Sequence, residues 1–375
     1  MLFKELIGQE EIKKRLIQTV QDNRISHAQL FLGGEGSGNL ALAIAYAQYI
    51  NCESRKEDDA CGVCPSCKKI SKLIHPDLHF VFPVSTTKKV EKNPISDDFI
   101  NDWREIILDN PYFNENQWYE KIGMGNKQGI ISKSESEEII RKLNLKTFEA
   151  EYKTMIIWLP EKMNAASANK LLKLIEEPPS KTLFLLVSNN SERIINTILS
   201  RTQILKISPI ATAAIRKGLE EKLAVEPAKA RDIAHLARGN YNQAIELAKT
   251  GDLGTDYFDA FVDLMRLAFA RKIVDIVDMV EKIHAWGREK QKDFLEYSLR
   301  MIRENYMTNL KQEEIVYLTA REKDFSSKFS AYINDRNAKY LAFELDRAIQ
   351  DIQMNAYGKT VFLDLALKIV KLIRS

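Results

Sequence analysis

A short apolar run, Gln29-Leu30-Phe31-Leu32, leads into Gly33-Gly34-Glu35-Gly36-Ser37-Gly38-Asn39-Leu40 and then into the uncharged stretch Leu40-Ala41-Leu42-Ala43-Ile44-Ala45. Strand, glycine-rich turn and helix follow one another as in a phosphate-binding loop, and the glycines keep the frame G-x-x-x-x-G-K-[ST]. That frame commits the chain to an α/β architecture with the loop at the carboxyl end of a parallel strand. Two working parts are missing, however. Asn39 stands where a lysine would reach the phosphates, and Leu40 stands where a hydroxyl would hold magnesium. Gly33, Gly36 and Gly38 still offer backbone N–H groups at a helix start, so the loop reads either as a weak anion site or as a turn that binds nothing.

Further strands are expected at Leu78–Phe82, Met155–Leu159, Leu183–Val187 and Gln203–Ile207, each a short apolar run bounded by turn residues. Helical patterns lie between them. In Ser167–Glu177 the residues Ala168, Leu171, Leu172 and Ile175 form one stripe, and Pro178-Pro179 ends it. A second such helix is expected at Glu192–Leu199. Ser85 to Thr147 is polar and glycine-punctuated, and reads as an insertion on the sheet, helical around Ser134–Leu143, with no legible role.

After Ile210 the strand signals stop. Short helices are expected over Ala211–Ala248, ending near Gly251, and long amphipathic helices beyond Tyr257, such as Phe258–Ala270 and Val361–Ile373. The expected division is an α/β domain at 1–208, a small helical lid at 209–254 and a helical domain at 255–375. A chain of 375 residues has room for that many cores.

An NTPase would also show an apolar strand ending in a carboxylate that holds magnesium. Here Thr154-Met155-Ile156-Ile157 runs into Trp158-Leu159-Pro160, with no carboxylate before Glu161. ATP hydrolysis by this chain is therefore not expected. Gly358-Lys359-Thr360 imitates the tail of a phosphate loop, but Gln353 occupies its leading glycine position and no strand precedes it.

Cys52, Cys61, Cys64 and Cys67 are the only cysteines, spaced Cys-x8-Cys-x2-Cys-x2-Cys. Four thiolates so close suit a closed structural zinc site rather than a disulfide framework. An iron–sulfur cluster and reduced, metal-free thiols are the other readings. Ser200-Arg201-Thr202 follows the helix expected at Glu192–Leu199. An arginine there is either a solvated helix-end charge or a finger that reaches a neighbouring subunit's nucleotide.

Charge narrows the partners. The 55 basic and 52 acidic side chains leave a net charge of +3, without the basic excess of a dedicated nucleic-acid binder. No targeting or membrane-spanning run is visible, and a cytoplasmic location is expected.

Taken together, Leu6-Ile7-Gly8-Gln9, His27-Ala28-Gln29-Leu30-Phe31, the cysteine module, Asn164-Ala165-Ala166-Ser167-Ala168-Asn169-Lys170-Leu171-Leu172, Glu176-Glu177-Pro178-Pro179 and Thr197-Ile198-Leu199-Ser200-Arg201-Thr202 resemble the delta-prime family of bacterial DNA polymerase III clamp loader subunits, within the AAA+ superfamily. The resemblance covers nearly the whole chain. It implies that Arg201, with Ser200 in the same motif, acts in trans on an adjacent ATPase subunit, and that the four cysteines hold structural Zn2+. Ser188 or Asn189 would fall at the nucleotide-sensing position of active relatives. In Gly239-Asn240-Tyr241-Asn242-Gln243-Ala244, Asn242 replaces the lid arginine of those relatives, a third lost nucleotide contact.

The implied role is a non-hydrolysing subunit of the DNA polymerase III holoenzyme. Its implied partners are gamma/tau-type ATPase subunits and a delta subunit, with the sliding clamp and primed DNA met through the complex. An atypical AAA+ ATPase of DNA repair or branch migration is the alternative, and it requires the lysine and carboxylate that are absent. A zinc-dependent DNA-binding protein requires a basic field around the cysteines, where Lys68 and Lys69 are offset by Glu53, Glu57, Asp58 and Asp59.

Overall fold

A computed structural model describes residues 1–125, 127–250 and 255–374. The chain divides into two compact units, Met1–Lys249 and Thr250–Ser375. The short helices expected to end near Gly251 and the boundary expected at 254–255 border residues 251–254, which lie outside the described residues.

The first unit is built on five parallel strands, β1 (Ala28–Gly33), β2 (Leu78–Val81), β3 (Lys153–Trp158), β4 (Thr182–Ser188) and β5 (Gln203–Ile207), in the spatial order β2-β3-β4-β1-β5. All five expected strands are present. Their side chains alternate between two cores. Phe31, Ile156, Leu183, Leu185 and Val187 face one, and Leu30, Met155, Ile157, Phe184 and Leu186 face the other. Coverage on both faces is why these strands read as continuous apolar runs.

The helices of this unit are α1 (Glu10–Gln21), α2 (Asn39–Ile50), α3 (Pro65–Ser71), α4 (Ile100–Asp109), α5 (Glu115–Lys121), α6 (Lys133–Asn144), α7 (Ala165–Glu176), α8 (Asn196–Leu199), α9 (Thr212–Leu223), α10 (Pro227–Leu236) and α11 (Tyr241–Thr250). Helix α2 is buried along its whole length, as an uncharged helix has to be. It leaves β1 toward β2, whereas α8 leaves β4 toward β5, so the two neighbouring strands send their chains in opposite directions. In such sheets the crevice at the carboxyl ends of the diverging strands is where ligands bind.

Two local expectations change. Glu192–Leu199 is not one helix: a 3-10 turn at Ser191–Arg193 and the short α8 are separated by extended Ile194 and Ile195. The Asn190 side chain accepts from the Glu192 N–H and fixes that turn. Branched Ile194 and Ile195 then favour the extended backbone.

The insertion between Ser85 and Thr147 is also no polar appendage. Trp103 and Trp118 are fully buried, and Trp103 packs 4.1 Å from Phe82, 5.4 Å from Phe113 and 5.2 Å from Trp158, ring centre to ring centre. Its ends are tied down. Val84 pairs with Ile130, and the Asp77 carboxylate accepts from the N–H groups of Phe148, Glu149 and Ala150 at 2.7–2.9 Å.

Among its described residues the second unit has helices and no strand: α12 (Thr255–Ala270), α13 (Ile273–His284), α14 (Arg288–Asn309), α15 (Ala320–Phe329), α16 (Ala338–Gln353) and α17 (Gly358–Leu372). Its core includes Phe261, Phe294, Leu341, Leu345, Phe362 and Ile369. The phosphate-loop imitation at Gly358-Lys359-Thr360 simply opens α17, and Lys359 pairs with Glu281.

Candidate nucleotide crevice and four-cysteine centre

The phosphate loop has the backbone its glycines predict, with Gly36 at φ +66° and Gly38 at φ +87°. What fills it belongs to the chain itself. The Asn39 amide Nδ2 donates to the carbonyls of Gly33 (3.0 Å) and Ser188 (3.2 Å) and lies 3.1 Å from Asn189 Oδ1. One side chain thus takes the position of the phosphate lysine and joins the loop after β1 to the loop after β4. Ser37 Oγ turns inward to the Gly34 carbonyl at 2.7 Å. From the far side Gln9 Nε2 donates to the carbonyls of Ser37 (3.0 Å) and Ser208 (2.7 Å).

The helices after β5 close over this loop. Tyr241 N donates to the Gly36 carbonyl at 3.0 Å. A Cβ at Gly36 would fall 1.8 Å from Asn240 Oδ1, so this asparagine lies directly on the loop. Asn242, which the resemblance sets at a lid arginine's position, accepts from Asn110 Nδ2 at 2.8 Å and donates to Gln117 Oε1 at 3.0 Å.

Both of those partners come from the insertion. So does Tyr112, whose ring meets Tyr241 at 4.9 Å and would lie 3.0 Å from a Cβ at Gly38. The Tyr112 hydroxyl accepts from Ile7 N at 2.9 Å. Tyr112, Asn110, Gln117 and Asn240 were not legible as site residues. They lie far from the loop in sequence; the first three match no motif, and Asn240 sits in Gly239–Ala244 at a position to which that motif assigns no role.

Ser188 and Asn189 both reach the crevice, Ser188 by its carbonyl and Asn189 by its side chain. Glu161, the late carboxylate, is placed beside them. Burial pushes its carboxyl above the usual range, while the Ser188 hydroxyl and the Asn189 N–H pull the other way.

Arg201 lies at the end of α8. Its Nε donates to Glu176 Oε2 at 2.9 Å and its Nη1 to the Thr197 carbonyl at 3.1 Å. Ser200 Oγ also donates to Thr197 O (3.2 Å), and Thr202 Oγ1 to Ile198 O (3.1 Å). The Ser-Arg-Thr side chains therefore satisfy the last carbonyls of a very short helix.

The four cysteines converge, with their Sγ atoms within 4.8 Å of one another and Cys61 Sγ 3.9 Å from Cys67 Sγ. A tetrahedron of zinc–sulfur bonds has edges of about 3.8 Å. Backbone N–H groups point at the sulfurs: Cys61 N at Cys52 Sγ (3.2 Å), Cys64 N at Cys61 Sγ (3.3 Å) and Cys67 N at Cys64 Sγ (3.4 Å). Such donors favour thiolates, and those of Val63 and Cys64 lower the Cys61 thiol to about 6. The donor set fits a metal such as zinc. The module is anchored through Asp59, which accepts from Phe3 N and Lys4 N at 3.1 Å, and through Cys52 and Cys67, which are buried in the core around α2.

Among the described residues no helix is long and apolar enough to cross a membrane.

Several known proteins resemble this chain. It is 29% identical over 245 residues to DNA polymerase III subunit delta' of Bacillus subtilis, covering 65% of this chain and 60% of that one. It is 27% identical over 250 residues to DNA polymerase III subunit tau of the same organism, covering 65% of this chain and 37% of that one. The matches thus span less than two thirds of either relative. Among solved structures, a DNA polymerase III gamma subunit-related protein of Thermotoga maritima aligns with 97% of this chain and 99% of its own at 14% identity, with a TM-score of 0.39. The family described as DNA polymerase III, delta subunit, matches residues 8–211, more than half of the chain. By that match, and with a five-stranded parallel sheet carrying the glycine loop, the chain belongs to that family of clamp loader proteins.

Proposed function

We propose that this chain is a non-hydrolysing clamp loader subunit of the delta-prime kind. It works in the cytoplasm with gamma/tau-type ATPase subunits and a delta subunit, within the DNA polymerase III holoenzyme. Through that complex it supports loading of the sliding clamp onto primed DNA. The observation that carries this reading is the internally bonded crevice. Asn39, Asn240 and Tyr112 lie on or against the phosphate loop, and all three are hydrogen-bonded or packed where they lie.

In this reading residues 1–208 form a rigid AAA+ domain, 209–254 a lid held shut, and 255–375 a helical collar that meets sister subunits. Zn2+ held by Cys52, Cys61, Cys64 and Cys67 stabilises the local fold and leaves no coordination position for chemistry. Arg201 offers its guanidinium to the nucleotide of a neighbouring ATPase, where it offsets charge that builds on the transferring phosphoryl group. Its Nη2 has no acceptor among the described residues, which leaves that edge for a partner's phosphate.

The test is ATP turnover, stimulated by clamp and primed DNA, for the chain alone and mixed with a tau-type ATPase from the same bacterium. The chain alone is expected to be silent and the mixture active. Arg201→Ala is expected to lower the mixture's turnover by about 10³-fold while the chain remains folded. Turnover by the isolated chain, or a mixture indifferent to Arg201→Ala, overturns the reading.

A further inference from the structure

We propose that Glu176 is a positioning residue for Arg201, an inference that rests on the reading of Arg201 as a trans-acting finger. The first observation is a local rule broken. Glu176 ends α7 and Glu177 follows it, so two carboxylates stand at the negative end of a helix dipole, where cations are favoured. Neither is needed to stop the helix, since Pro178-Pro179 does that. Sequences that break a local preference tend to do so at working sites.

The second observation is how the guanidinium is held. Its Nε bonds to Glu176 Oε2 at 2.9 Å, and one Nη1 hydrogen bonds to the Thr197 carbonyl at 3.1 Å. These anchors lie on two different helices, α7 and α8, and they grip one side of a planar group. A long side chain held at two points loses most of its rotational freedom. The rest of the fork, Nη2 and the second Nη1 hydrogen, is then presented as a fixed edge that matches phosphate oxygens. Thr197 supplies a backbone carbonyl that no substitution removes, so Glu176 is the adjustable half of the grip.

The pair is solvent-accessible on both sides, Arg201 33% and Glu176 55% exposed, and Glu176 belongs to neither core. A change at this position should therefore leave the fold intact and act on the finger alone.

The full chain is mixed with a tau-type ATPase from the same bacterium, and kcat and KM for ATP are read for wild type, Glu176→Ala, Glu176→Gln, Arg201→Ala and the double alanine variant. Glu176→Ala is expected to lower kcat about 10-fold to 100-fold with KM unchanged, because a misplaced transition-state group costs rate rather than ground-state binding. Glu176→Gln is expected to retain most of kcat, since its amide oxygen still accepts from Nε. The double variant should be no worse than Arg201→Ala alone.

A rise in kcat with Glu176→Ala would mean that the carboxylate parks the arginine away from its target, and overturns the proposal. An unchanged kcat with Glu176→Ala beside a damaged Arg201→Ala overturns it too, and leaves the finger standing. Indifference to Arg201→Ala removes the finger itself.

Discussion

Asn39 Nδ2 and Asn189 Oδ1 are 3.1 Å apart, and that contact joins the loop after β1 to the loop after β4 across the mouth of the sheet. In a working NTPase this gap holds phosphates. Here two asparagines span it, and the same Asn39 amide also serves two backbone carbonyls. The degenerate loop is therefore a structural joint and not an idle site.

Restoring the missing groups should not restore nucleotide binding. The double variant Asn39→Lys, Leu40→Thr regains the motif, yet Asn240 still lies on Gly36 and Tyr112 on Gly38. Titration of a fluorescent ATP analogue should show no saturable binding. Adding Tyr112→Ala and Asn240→Gly to the same chain should let binding appear. Tight binding by the double variant alone would show that occupancy of the crevice is not what excludes nucleotide.

Glu135 makes stability depend on pH. It is 1% exposed, its Oε2 accepts from Ser96 N at 2.6 Å, and its Oε1 has no hydrogen-bond partner among the described residues. Burial pushes its carboxyl up to about 7, with Ser96 and Lys142 pulling it down and Asp97 pushing it up. The folded value lies above the ordinary 4.5, so the native state binds the proton more tightly than the unfolded chain. This contribution is complete below about pH 4.5 and is lost as pH rises toward 7, on the order of 3 kcal/mol at most. Glu135→Gln should flatten the stability profile in that window relative to wild type, as read by urea unfolding at several pH values. Parallel profiles would place the proton elsewhere.

The four-cysteine centre should be structural. Purified protein is expected to carry one zinc per chain by elemental analysis, and Cys61→Ser to carry far less. Because Cys52 and Cys67 are part of the core around α2, loss of metal should lower the melting temperature of the first unit rather than leave a local defect. A chelated chain that melts where the metal-loaded one does would make the centre dispensable.

The strands were legible because burial on both faces leaves an unbroken apolar run, as in Leu183 to Val187, and little else produces that pattern in so few residues. The losses at Asn39 and Asn242 were legible too, since a motif names the residue that ought to be there. What took their place was not. Tyr112 and Asn110 lie in a stretch whose overall polarity hid six buried aromatics, Phe99, Trp103, Tyr112, Phe113, Trp118 and Tyr119. Average composition cannot show that a few large rings all turn to one side. The break at Ile194-Ile195 was missed for a related reason, because apolar spacing fits a helix and an extended pair equally well.

Tyr112 has a consequence for the order in which this chain can fold. Its contact with Ile7 joins residues 105 apart, the Asn110–Asn242 bond spans 132, and the Gln9–Ser208 bond spans 199. Contacts that distant close long loops and form slowly. The sheet can nucleate from neighbouring strand pairs such as β3 with β4, but the helices after β5 lack part of their docking surface, Tyr112, Asn110 and Gln117, until the tip of the insertion has arrived. During synthesis on a ribosome the phosphate loop would emerge first and wait open, and it would be sealed only after the residues near 240 had left the exit tunnel. The loop is thus expected to be most accessible at its birth, before the residues that cover it have been made.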